Sequence, residues 1–182
     1  MNEEYQALRE EIMFSMQTVK NYRSLLYTIV VAVLAFAVDK GEAILFLVPF
    51  VAIVPIYLLS MHQIDSTMRI GAYIYVFLEP NLPVGWETRL YVYDQLYKNE
   101  YGTKKTSIDS YLVLSFLCII MSIVNMDFNN KDYMFYIIVF LQIVISIVCI
   151  FIFIKKRPDY LKVKEKYIAD WKRVKSIEDT EE

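Results

Sequence analysis

Charged and uncharged positions fall into long blocks along this chain. Four runs carry no charge: 24–38, 43–60, 110–126 and 133–154. At roughly 1.5 Å per helical residue, the run 43–60 is long enough to cross a bilayer. The run 24–38 is short, but Arg23 and Lys40 flank it, and their stems can snorkel to the two interfaces. The blocks predict an all-α membrane protein with four transmembrane helices in two hairpins. They divide it into a cytosolic amphipathic helix (1–23), a first hairpin (24–60), a cytosolic helical segment (61–109), a second hairpin (110–154) and a cytosolic helix with an acidic tail (155–182).

The second run does not stop at the membrane. Residues 61–78 contain no proline and carry Asp65 and Arg69 at helical i, i+4 spacing, so one long helix is expected until Glu79-Pro80. Pro49 and Pro55 lie in its apolar half and predict a bend. Tyr5, Leu8, Ile12, Met16 and Val19 recur at spacings of three and four, which predicts an amphipathic helix running into the first span. Trp86, Leu90, Tyr93 and Tyr97 share one face of a further helix. Tyr160, Lys164, Tyr167, Trp171 and Val174 share a face of the last one.

The net charge of the 182 residues is −2, so only the distribution is informative. Arg9, Lys20 and Arg23 precede the first run; Arg69, Arg89, Lys98, Lys104 and Lys105 lie between the second and third; nine of the 19 basic residues follow Ile154. The two remaining connections hold only Lys40 and Lys131. The positive-inside rule then puts both termini and the middle segment in the cytosol of a multi-pass membrane protein. His62 is the sole histidine, and Cys118 and Cys149 sit in apolar runs, so neither metal ligation nor a disulfide framework is expected. Glycine-rich phosphate loops and nucleophile motifs are absent, so no catalytic residues and no cofactor are assigned, and the chain is not expected to be an enzyme.

Two features carry candidate chemistry. Ser115, Cys118, Ser122 and Asn125 form a polar stripe on the third span, and Gln142 and Ser146 continue it on the fourth. Such a stripe serves either close packing of helices or the lining of a pore between copies. In the cytosolic segment Arg69, Arg89, Lys98, Lys104 and Lys105, with Trp86, mix cations and a stacking ring. That combination suits an anionic ligand, a nucleotide or single-stranded nucleic acid, although the same residues also fill helix bundles and obey the charge rule. The expectation is a homo-oligomer around an ion-conducting path gated from the cytosol. The alternative is a non-conducting anchor that docks a partner enzyme through 86–101 and 160–174; a third reading is a subunit of a larger membrane complex.

Glu4-Tyr5-Gln6-Ala7-Leu8-Arg9-Glu10-Glu11-Ile12 resembles the opening of a set of small bacterial membrane proteins. Arg69-Ile70-Gly71-Ala72-Tyr73-Ile74, followed by Glu79 and Gly85-Trp86-Glu87, is similar to a second signature of that set. The resemblance covers about residues 4–90, and proteins of this build look like the membrane effectors of anti-phage systems of the Hailong type. It implies a channel-forming effector controlled by single-stranded DNA made by a nucleotidyltransferase partner. It carries over no residue role.

Overall fold

The computed structural model describes residues 3–83, 85–97, 110–128, 133–155 and 160–181. Every regular element among them is helical. Helix α1 spans Glu3–Lys40 and ends at Gly41, whose φ of 66° lets its amide turn back to the Ala37 carbonyl at 2.9 Å. A 3-10 turn, Ala43–Leu47, leads into α2, Phe50–Tyr73. A π turn, Ile74–Leu78, and a 3-10 turn, Glu79–Asn81, continue it. Then follow α3 (Trp86–Leu96), α4 (Ser110–Val124), α5 (Tyr133–Ile150) with a π turn Phe151–Lys155, and α6 (Tyr160–Glu181).

Three helical stretches are long and apolar enough to cross a membrane: Glu3–Lys40, Ala43–Asn81 and Tyr133–Phe153. Ser110–Val124 is apolar but shorter. The expected long helix from Ala43 is present as one helical stretch to Asn81, with departures in its first turns. Its first turn is 3-10, and Pro49 lies ahead of α2, not inside it. There Pro49 costs no helical hydrogen bond, because its missing N–H precedes the first turn, while its carbonyl accepts from Ala52 and Ile53. The Leu45 carbonyl is taken by Val48 N at 3.2 Å. Pro55 does sit within α2 and removes one donor there.

The chain divides into two compact units. One comprises Asn21–Leu59 and Ser107–Arg157, the apolar unit. Its core is aromatic: the fully buried Tyr57 ring meets Tyr111 edge-on at 5.2 Å and Phe153 at 4.6 Å. Edge-to-face pairs of this kind add about 0.5–1.5 kcal/mol beyond their burial. The 3-10 turn Ala43–Leu47 packs on α4 and α5. Val113, Phe116, Ile120 and Val124 point out of α4, and Tyr136, Phe140, Ile143 and Ile147 out of α5. Large apolar side chains turned outward over whole helix faces suit a lipid surround.

The other unit comprises Met1–Lys20, Ser60–Thr106 and Pro158–Glu182 and carries most of the charge. Two clusters meet on the end of α2. Ile70, Ile74 and Leu78 pack with Tyr5 and Ile12 of α1. Ala72 and Val76 pack with Ile168 of α6, flanked by Tyr167 and Trp171. Met16, expected on the inner face of α1, is 54% exposed, and Ser15 takes that place at 6%. The inward line therefore runs 5, 8, 12, 15, 19, and a small residue stands where a long one was expected.

Candidate functional site

The charged unit holds a polar centre that the sequence does not advertise. After α2, the chain turns through Glu79–Asn81 and enters α3 at Gly85. Glu79 is 5% exposed, and its carboxylate faces the start of α3. It accepts from Glu87 N, Thr88 N and Thr88 Oγ1, each at 2.7 Å. A helix start leaves amides without partners, so this buried carboxylate serves as the missing cap.

One residue into that first turn, Glu87 points inward and is also 5% exposed. Its Oε1 accepts from Arg9 Nη1 of α1 at 3.2 Å, and its Oε2 from Lys164 Nζ of α6 at 2.9 Å. Three helices are thus tied through one carboxylate. Gly71 makes room for it: a Cβ there would stand 3.1 Å from Glu87 Oε2. Phenols complete the ring of contacts. Tyr73 donates to Glu4 Oε1, and Tyr167 donates to Asp65 Oδ2, both at 2.7 Å. Burial and the Asp65 carboxylate that takes its hydrogen bond push the Tyr167 phenol above its ordinary 10.0.

Beside this centre lies an open cleft of about 490 Å³. Tyr75 comes from the π turn, Glu79 and Gly85 from the connection, Arg89 from α3, and Lys172 and Lys175 from α6. Lys175 is held in place, with its Nζ 3.5 Å from the Val76 carbonyl and 5.9 Å from the Phe77 ring centre. The single carboxylate among the described residues of the cleft, Glu79, is already engaged with α3.

Of the residues assigned to a ligand from sequence, Arg89 lines this cleft. Arg69 does not; it is exposed elsewhere, with its carbonyl accepting from Trp171 Nε1 at 3.1 Å. Trp86 is exposed, with the Arg9 guanidinium 5.8 Å from its ring centre. Lys98, Lys104 and Lys105 lie outside the described residues. Lys172 and Lys175 were missed, because they fall among the nine basic residues after Ile154 that counted only toward the positive-inside rule. Among the described residues no group of three His, Cys, Asp or Glu side chains could hold a metal.

The polar stripe of the apolar unit is engaged within the chain. Ser122 is fully buried and donates to the Ala43 carbonyl at 2.8 Å, and Gln142 Nε2 donates to Ser122 Oγ at 2.9 Å. Ser115, Asn125 and Ser146 donate to the carbonyls of Tyr111, Met121 and Gln142. Cys118 is buried beside them. Hydroxyls and an amide used this way satisfy backbone that hydrocarbon would leave bare.

The fold and site define an α-helical protein with helices of membrane-crossing length and a second helical unit bearing a cationic cleft. No protein-family profile matches the chain, and neither a curated protein nor a solved structure resembles it at a significant level.

Proposed function

We propose that the chain is a four-span bacterial inner-membrane protein that assembles with copies of itself into a ligand-controlled ion path, a membrane effector of the anti-phage kind. Its termini and charged unit are cytosolic in this reading, and an anionic ligand such as single-stranded DNA or a nucleotide sets its state. The observation that carries the reading is α2. One helix leaves the uncharged run 43–60, and its π-turn continuation forms a wall of the cationic cleft. A ligand that prefers one position of that wall biases the helix it belongs to.

Helix α4, at 15 residues or about 22 Å, is the short fourth span, accommodated by thinning of the bilayer or by its flanking uncharged residues. Because Ser115, Cys118, Ser122 and Gln142 of the stripe are buried within the chain, the path is assigned to surfaces between copies. Ser24, Tyr27 and Thr28 carry the exposed hydroxyls of the first uncharged run on α1, with Thr28 Oγ1 also donating to the Ser24 carbonyl at 3.1 Å. Single-channel current from purified protein in a planar bilayer, with and without single-stranded DNA on the cytosolic side, tests this. Discrete currents that change with DNA, and that shrink in Thr28→Leu, are expected. A silent bilayer with oligomeric protein inserted overturns it.

A second reading has its own support. The α3 face holding Trp86, Tyr93 and Leu96 is 57%, 50% and 71% exposed. A non-conducting anchor would use such a face to dock a cytosolic enzyme. Capture of one partner, lost on Trp86→Ala and Tyr93→Ala and accompanied by no current, distinguishes it.

A further inference from the structure

We infer that the cleft between the π turn of α2, the start of α3 and α6 binds a soluble, phosphate-bearing ligand of about mononucleotide size, held by Arg89, Lys172 and Lys175. The inference deepens the ligand-sensing half of the reading above and is independent of conduction.

Charge comes first. Among the described residues three cations and one carboxylate line the space, and that carboxylate is directed to the amides and hydroxyl at the start of α3. Arg89 and Lys172 form no ion pair among the described residues, whereas Arg9 and Lys164 are committed to Glu87. Free cations that converge on a concavity from two different helices are poised for an oxyanion, and the guanidinium offers the planar fork that phosphate accepts. The α3 amides do not compete for it, since Glu79 occupies them.

Size and position narrow the class. About 490 Å³ lies within the range of small-ligand clefts. Tyr75 presents a ring at the wall, 5.5 Å from the Tyr91 ring, so an aromatic portion of the ligand finds an apolar contact. A lipid headgroup is the competing source of phosphate. Tyr75 lies about 22 Å along the helix beyond Ser60, where the uncharged run ends, at 1.5 Å per residue. That distance favours a ligand from the cytosol.

The test is calorimetric titration of the full chain in detergent at low salt with pyrophosphate, ATP and a water-soluble short-chain phosphatidylglycerol. Pyrophosphate and ATP are expected to bind, with affinity falling as salt rises. Arg89→Gln and Lys172→Gln should each weaken binding by about tenfold or more at unchanged melting temperature. Arg173→Gln, a cation on α6 outside the cleft, should bind as wild type. Binding of the lipid alone, binding of no probe, or equal binding by the two cleft variants would overturn the assignment. DNA-dependent current without pyrophosphate binding would remove this site and leave the gating reading standing. Variant-sensitive pyrophosphate binding in a protein that never conducts would do the reverse.

Discussion

Glu87→Ala removes the one carboxylate that α1 and α6 both hold. Lys164 is the partner that suffers, because it is 8% exposed and loses its carboxylate. Stranding a buried ammonium costs about 3–5 kcal/mol. The Arg9 side chain is 30% exposed, reaches water and adds less than about 1 kcal/mol. At roughly 2–4 °C per kcal/mol for a chain of this size, the melting temperature should fall by about 10 °C. The assay is well placed, since both tryptophans, Trp86 and Trp171, lie in the charged unit. Their fluorescence in a thermal ramp therefore reports on this unit alone. Glu87→Gln, which keeps the shape and one acceptor, should lose less. Gly71→Ala supplies the cross-check. Alanine favours a helix by about 1 kcal/mol over glycine, but its Cβ meets Glu87 Oε2 at 3.1 Å. In wild type the crowding offsets the gain; in Glu87→Ala the crowding is gone and Gly71→Ala should stabilise. A Glu87→Ala protein melting within 1–2 °C of wild type (about half a kcal/mol by the same conversion), or two substitutions that simply add, would refute the ionic-network argument.

Other substitutions probe separate contacts. Glu79→Ala removes the cap of α3 and should cost about 0.5–2 kcal/mol, seen as faster amide exchange over residues 86–96. Ser122→Ala leaves the Ala43 carbonyl without its donor and should lower resistance to unfolding by detergent by about 1–2 kcal/mol; unchanged resistance would mean that the carbonyl finds another partner. Tyr167 has its folded pKa raised above 10.0, so its neutral form favours the folded state. Its stabilising effect is present below pH 10 and is lost as pH rises through the raised value. The stability gap between wild type and Tyr167→Phe should close over that interval, and a gap that widens with pH would contradict the sign.

Periodicity exposed the parts of the fold that bury apolar surface. Tyr5, Ile12 and Val19 declare the inner face of α1, and the uncharged runs declare the helices of the apolar unit. Met16 misled because 12, 16, 19 and 12, 15, 19 are both helical steps, and hydrophobicity favours the first. The polar centre was illegible for a different reason. On α3 the bulky stripe of Trp86, Leu90 and Tyr93 reads as the buried side and Glu87 as solvated, yet the structure reverses them. What makes Glu87 interior is the arrival of Arg9 and Lys164 from 78 and 77 residues away. No local spacing encodes that. The stripe from Ser115 to Gln142 was legible as polar; its use was not, because a hydroxyl that meets a carbonyl and one that meets an ion look the same in sequence.

The two quoted signatures acquire a physical meaning from this arrangement. Glu4 receives the Tyr73 phenol, Arg9 and Glu87 are the two ends of an ion pair, Gly71 is the space Glu87 needs, and Glu79 starts α3. Each acts by holding α1, the end of α2 and α3 together. The cations of the cleft stand apart from them: Arg89 falls just past the second signature, and Lys172 and Lys175 lie far beyond both. These two stretches thus supply scaffold contacts, and the proposed phosphate site draws its cations from residues outside them. A chain sharing both signatures but lacking cations at the positions of Arg89 and Lys172 should melt with the same Glu87-dependence and bind no pyrophosphate, which separates how this unit is built from what it recognises.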